Sequence, residues 1–321
     1  MQRRDKMKTI AILGIACVDV IATPVQGLPK TGTLKTLDSI TMHTGGCATN
    51  VAIDLARLGA SSRVVLPLGN DAFGRFIDVS LDTYDIDKTY IMRSEKEKTS
   101  ASMVLVNSEG ERSFLHNKGF NARFSYEDIP LSFLKGIDIL LVTGSFLMDR
   151  FDGEDTKRLL QEANRRKIMT VLDTAWDPKG KWEKTIAPCF SEIDLFVPSL
   201  EEARAITKKE KVEDVVDELK QMGAHDIIIK MGEEGAYADI CDETHNHKAY
   251  LIDQPVDTTG AGDAFVAGII YALANDMATT SMLKFANGVG SFAVQKEGAS
   301  SGIPQAKDIF KRIEKEDDSD E

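Results

Sequence analysis

Apolar residues in this chain follow two rhythms that take turns from one end to the other. Residues 9–15 form a nearly unbroken apolar run and read as a strand buried on both faces. Over 50–58 the spacing changes, and Val51, Ala52, Leu55 and Leu58 recur at intervals that predict an amphipathic helix. Residues 63–68 return to a strand, and Asp71 is suited to cap the helix that follows. The exchange repeats as strand 137–142, helix 157–166 and strand 168–172, then as strand 193–197, helix 212–222 and strand 226–230. Strands separated by helices predict a mainly parallel sheet covered on both faces, an α/β/α domain of three layers.

Two regions break that rhythm. Residues 21–42 are rich in Gly, Pro and Thr, whereas 88–115 hold short β-prone pieces, with 101–106 and 112–115 flanking Asn107-Ser108-Glu109-Gly110 as a hairpin. Together they predict a small β lid over the carboxyl ends of the main strands. Such a lid excludes water from a reaction cleft, or serves as an appendage for packing or dimerisation. The expected division is a core of 8–20, 46–87 and 122–313, a lid of 21–45 and 88–121, and an acidic tail at 314–321.

Composition narrows the class. A chain of 321 residues with 42% hydrophobic content is long enough for one large core and too apolar for disorder. A formal net charge of −12 disfavours nucleic acid as a partner. The four cysteines, Cys17, Cys47, Cys189 and Cys241, lack paired metal spacing and suggest a reduced, cytoplasmic setting. Arg3, Arg4 and Lys6 before an apolar run imitate a secretion signal. Asp5 interrupts them and no small-residue cleavage pattern follows, so a buried first strand is expected, and no apolar span is long enough for a membrane. His245 and His247 share one face of a strand but lack a Cys or an evident carboxylate partner, and they read as solvent-facing.

Candidate chemistry is concentrated in two places. In Asp257-Thr258-Thr259-Gly260-Ala261-Gly262-Asp263, residues with little side chain let an anion approach backbone N–H groups at the start of a helix, and Asp263 falls in that helix's first turn. A carboxylate there can take a proton from a hydroxyl attacking a phosphate, although a turn with a helix cap has the same composition. In Gly45-Gly46-Cys47-Ala48-Thr49-Asn50, paired glycines admit a polyol and Asn50 can donate to and accept from hydroxyls. Asp19, just past the first strand, can accept from two more, or simply serve a turn. No Gly-x-x-x-x-Gly-Lys-Ser/Thr loop is present.

These motifs, with 51–59 and Gly69-Asn70-Asp71-Ala72-Phe73-Gly74 between them, resemble the ribokinase-like (PfkB) carbohydrate kinase family over nearly the whole chain. The resemblance implies the ribokinase-like fold and ATP-dependent transfer of a γ-phosphate to a sugar hydroxyl. It implies Asp263 as catalytic base, with the backbone of Gly260, Ala261 and Gly262 as anion hole. Asp19, Gly45, Gly46 and Asn50 match sugar-binding positions. Lys230, Gly232 and Gly235 match a nucleotide-side loop, and Asn287 falls where the family lines its adenine pocket. Glu202 matches the acidic position that organises Mg²⁺, and Asp257 a residue at a monovalent-cation (K⁺) site. Where many relatives have Asn before that acid, this chain has Ser199, which also suits a helix cap with Glu202 as its capping-box partner.

Other residues stay open. Asp173 suits a phosphate or acceptor cleft, and Asp177 suits either the cleft or a loop cap before Pro178. Phe114, His116 and Asn117 at the hairpin suit acceptor selection, and Phe114 equally suits core or hinge packing. One rival reading is a nucleoside kinase, for which Phe114 and Phe120 are the available aromatic clamps; another is a non-catalytic carbohydrate-binding regulatory protein. The β-prone segments leave a homodimer through the lid open without specifying it.

Overall fold

The computed structural model describes residues 7–317, so Arg3, Arg4, Lys6 and residues 318–321 of the expected tail lie outside the described residues. The apolar run at the start becomes the strand Ile10–Gly14, every residue of which is buried. Its side chains alternate, Ile10 and Ile12 entering one core cluster and Ala11 and Leu13 the other. A strand covered on both faces has no polar side to show, which is why its sequence is a run and not an alternation.

An eight-stranded sheet has the order Glu243–His247, Ala236–Ile240, Asp226–Lys230, Leu195–Phe196, Met169–Thr174, Ile139–Ser145, Ile10–Gly14, Ser62–Val65. Pairing is parallel from Ser62–Val65 as far as Asp226–Lys230. The last two strands add antiparallel. Helices Cys47–Leu58, Ala261–Ala274 and Thr279–Ala293 pack on one face, and Glu154–Arg165, Leu200–Thr207 and Val212–Gln221 on the other. Among the described residues no helix is long and apolar enough to cross a membrane.

A second sheet, of four strands, has the order Ser39–Gly45, Cys17–Thr23, Ala101–Val106, Arg112–Asn117. Its faces differ chemically. Asp19 pairs with His43 and Ser102, and Ser102 with His116, which puts polar groups on one side. Val20 pairs with Met42 and Met103, and Met103 with Leu115, which makes the other side apolar.

Several boundaries move. The lid strand starts at Cys17, ahead of residue 21, so Asp19 belongs to the lid sheet. The expected strand at 63–68 divides into Ser62–Val65 and Pro67–Gly69. Pro67 has no N–H to give the sheet, and the chain turns off its edge to pair with Met92–Ser94, which therefore lies outside the lid sheet. The helix expected at 50–58 begins at Cys47, after Gly46 at φ 89°. The carboxyl-terminal helix Ala306–Asp317 continues past residue 314 into the expected tail.

Asp71 caps Ala72–Thr83 as expected, accepting from Gly74 N at 2.9 Å, and its other oxygen accepts from Thr99 N at 2.9 Å. One carboxylate thus ties a core helix to the segment that enters the lid. Asp71→Ala is expected to cost about 1 to 3 kcal/mol, since it removes a cap and leaves the Thr99 N–H unpaired. Urea unfolding followed by circular dichroism measures the loss, and a change within error would remove the cap from that role.

Candidate active site

Parallel strands end together on one side of the sheet, and the sequence motifs converge there. A cleft of 580 Å³ is lined by Asp173, Glu202, Lys230, Asn287 and the run Gly260–Asp263, along with Gly232 and Gly235. Met169–Thr174 and Asp226–Lys230 deliver Asp173 and Lys230 from their carboxyl ends, and the helix Ala261–Ala274 presents its amino end. Gly260 takes φ 78°, and a Cβ there would come within 2.7 Å of the Ala299 backbone. No side chain fits. The Ala261 N–H turns back to Thr258 O at 3.2 Å, so the helix end meets the cleft chiefly through Gly262, which is exposed on its wall.

Asp263 sits in the first turn, and Asn50 Nδ2 donates to its Oδ2 at 2.8 Å. This contact joins the two motifs across 213 positions of chain. Burial raises the Asp263 carboxyl from its ordinary 3.8 to about 6, with the Asp173 charge adding and the Asn50 bond, Lys230 and the Cys47 thiol opposing. Cys47 lies within the glycine motif that precedes Asn50, where nothing in the sequence assigns it a role. Its sulfur lies with carboxylate oxygens of Asp173 and Asp263 in a group spanning no more than 4.8 Å. Burial, then Asp263 and Asp173, push its pKa well up, so it faces Asp263 as a thiol donor and not as a thiolate ligand.

Beside them stands a buried charge group. Lys230 Nζ pairs with Asp173 Oδ1, while Thr143 Oγ1 donates to Asp173 Oδ2 at 2.6 Å. Burial acts to lower Lys230, but Asp173 and Glu202 outweigh it and hold the ammonium above the ordinary lysine range. Glu202 Oε2 accepts from Thr174 Oγ1 at 2.8 Å and from Ser199 N at 2.9 Å, and Ser199 Oγ accepts from Glu202 N at 3.2 Å. The capping box and a place on the cleft wall therefore coexist in one residue. Burial raises the Glu202 carboxyl against the pull of Lys230. Three carboxylates around one ammonium leave a surplus of hard oxygen donors, which suits Mg²⁺.

The expected sugar-side residues lie at the neighbouring end of Cys47–Leu58. A Cβ on Gly45 would sit 2.4 Å from Asp19 Oδ2, and one on Gly46 would sit 2.7 Å from Ile15 O, so both glycines allow Asp19 and the first strand to close on the helix start. His116 Nδ1 and Ser102 Oγ are 3.0 Å apart on the same lid face as Asp19. Phe114 is exposed on that face, whereas Phe120 is buried in the core against Phe124 at 6.4 Å and is no clamp for a base. Asp177 accepts from Lys179 N at 2.8 Å and Trp182 N at 2.9 Å, which makes it a loop cap.

The histidine strand differs from expectation, and Asn287 and Asp257 make contacts the sequence does not announce. His245 and His247 do share a face, but both are half-buried, not solvent-facing. The strand's end packs on Thr279–Ala293, where Asn287 Nδ2 donates to His247 O at 3.1 Å. Asn287 is thus buried on the cleft wall with its amide anchoring that strand. Asp257 Oδ1 lies 3.0 Å from Arg112 Nη1 and accepts from Thr259 N at 2.9 Å, and its Oδ2 accepts from Gly298 N at 3.0 Å. Burial opposes ionisation, but Arg112 and those N–H groups prevail and bring the carboxyl down to about 2. The carboxylate carries a guanidinium where the resemblance puts a monovalent cation.

The chain is similar to known proteins over nearly its whole length. It is 25% identical over 320 residues to a fructokinase of Vibrio alginolyticus, covering 96% of this chain and 99% of that protein. The solved Arabidopsis thaliana ribokinase complexed with ribose and ATP superposes with TM-score 0.83 at 23% identity, covering 96% of this chain and 99% of that one. A double-mutant fructokinase of Vibrio cholerae O395, solved with fructose, ADP and potassium ion, gives TM-score 0.80 at 24% identity, covering 97% and 100%. These structures establish a shared fold. The profile of the pfkB family carbohydrate kinases matches residues 7–306, and the chain therefore belongs to that family, as an ATP-dependent carbohydrate kinase with an alcohol group as acceptor.

Proposed function

We propose that Asp263 is the base of this kinase and that the acceptor is a sugar held between Asp19, Gly45, Gly46, Asn50 and the polar face of the lid. The observation that carries the reading is the 2.8 Å bond from Asn50 to Asp263, which sets the carboxylate between the glycine pair and the helix end. Asp263 takes the proton of the acceptor hydroxyl as that oxygen bonds to the γ-phosphorus and the bond to the departing ADP breaks. Gly262, with the adjoining first-turn backbone, offers N–H groups to the oxygens of the moving phosphoryl group. Lys230 Nζ lies 4.0 Å from where a Cβ of Gly262 would be, which places a fixed positive charge beside that cradle.

Glu202 and Asp173 on the cleft wall are the residues that would hold Mg²⁺, which when bound with ATP would neutralise phosphate charge. Gly232, Gly235 and Asn287 form the nucleotide side, Asn287 by anchoring the strand that ends at His247. Asp19, Ser102 and His116 on the lid face suit hydroxyls; Phe120 lies in the core, and Phe114, exposed on that same face, is the aromatic candidate still placed to meet a nucleobase. The apolar lid face, with Ile40, Met42, Met103 and Leu115 exposed, is the surface for a homodimer.

A panel of sugars and nucleosides assayed with Mg-ATP tests the acceptor class. Phosphorylation of a sugar is expected; turnover of nucleosides alone, or sugar binding without turnover, would favour the rival kinase or the regulatory reading. In the same assay Asp263→Asn should lower turnover by about 10²- to 10⁴-fold. For the wild type, kcat/KM should fall about tenfold per pH unit below about pH 6, where the base is protonated, and level off above it. The folded-state value of about 6 exceeds the ordinary 3.8, so this group favours folding fully below 3.8 and loses that contribution as pH rises through about 6. Asp263→Asn should therefore gain about 1 to 3 kcal/mol at neutral pH, read by thermal melting. A variant that keeps its turnover sinks the assignment of the base.

Lys230→Met should lower kcat by about 10²-fold and also destabilise the fold, since it strands Asp173 without its partner. Adding Asp173→Asn should restore stability and leave turnover low; recovery of both would reduce Lys230 to a structural role. Sedimentation velocity should show a dimer that Met103→Lys dissociates. A monomeric wild type at micromolar concentration would remove the lid interface.

A further inference from the structure

Arg112 opens the outer lid strand Arg112–Asn117, yet its side chain reaches the opposite wall of the site. Nη1 stands 3.0 Å from Asp257 Oδ1 and also donates to Thr259 Oγ1. Asp257 is 6% exposed, and its remaining contacts come from the N–H groups of Thr259 and Gly298. Both oxygens are therefore directed at donors, and the guanidinium balances the charge. The contacts lie on Asp257 and Thr259, immediately before Gly260, so the guanidinium also pins the backbone that leads into the phosphate cradle. The strand that carries Arg112 carries Phe114 and His116 as well, on the acceptor side.

We infer that Arg112 is the resident cation of this site, taking at Asp257 the place that the family resemblance gives to K⁺, and that the kinase is consequently independent of monovalent cations. The inference rests on the kinase reading of the cleft. A guanidinium stays charged at every physiological pH and cannot diffuse away, whereas a bound ion depends on its concentration. Lifting the outer lid strand would carry Arg112 away from Asp257. Closing the lid over an acceptor and setting the cradle for phosphate are then one motion, because the same strand does both.

The test compares wild type, Arg112→Ala and Arg112→Lys in potassium chloride and in tetramethylammonium chloride at equal ionic strength, with Mg-ATP and the sugar found active. Wild-type turnover should agree within about twofold between the two salts, while Arg112→Ala should lose about 10- to 100-fold in tetramethylammonium and recover part of it with K⁺ or free guanidinium. Arg112→Lys, which keeps the charge but not the fork, should fall between. Thermal melting gives a readout without turnover: K⁺ should leave the wild-type Tm unchanged and raise that of Arg112→Ala. Saturable K⁺ activation of the wild type by about tenfold or more, or an Arg112→Ala variant fully active without K⁺, would overturn the inference. If no acceptor is phosphorylated in either salt, the kinase reading fails, and the melting curves still decide whether Arg112 keeps K⁺ from the site.

Discussion

As the proposed base, Asp263 would have to be ionised to accept a proton while lying where water is scarce, and the site is built around that conflict. Burial alone would leave the carboxyl protonated; the bond from Asn50 and the ammonium of Lys230 draw its pKa back to about 6. The donors come from opposite ends of the chain's order. Asn50 rises from the first long helix, Lys230 from the end of a late strand, and Asp263 begins the helix between them in space. A base of this kind forms only when the whole sheet is assembled, which ties activity to the global fold.

The second constraint is charge number. Asp173, Glu202 and Asp263 line the same cleft as Lys230. Burial, with the Asp173 charge adding, raises Glu202 and Asp263 together, and the Cys47 thiol remains protonated beside them. Such a cleft is prepared for a cation accompanying a highly charged substrate. The arrangement is costly for folding and useful for transfer, since fixed donors and charges need no reorganisation as charge shifts in the transition state.

What could be read beforehand follows from the range of the signal. Two-faced burial of Ile10–Gly14 and the helical spacing after Cys47 are local, and so are the Asp71 cap and the Ser199–Glu202 capping box; each was visible in a few adjacent letters. The glycine runs were visible because Gly260 and Gly46 need backbone angles or approaches that a side chain forbids. Pairings across the chain were hidden. Nothing near Cys47 announces Asp263, nothing near Lys230 announces Asp173, and the half-burial of His247 comes from Asn287 on a distant helix. The split at Leu66 was legible in principle, since Pro67 cannot serve a sheet's hydrogen-bond ladder.

Arg112 shows the same limit most clearly and adds a consequence. As a sequence feature it is one basic residue after a turn, unremarkable on any exposed strand. In space it joins the lid sheet to Asp257 and Thr259, and it sits on the strand that also carries Phe114 and His116. A kinase must keep water from the γ-phosphate until a hydroxyl is in place. If the group that completes the phosphate side is carried by the element that covers the acceptor side, an open cleft lacks part of its cradle and a closed one has it. Selection against water then requires no sensor beyond the geometry of a single strand.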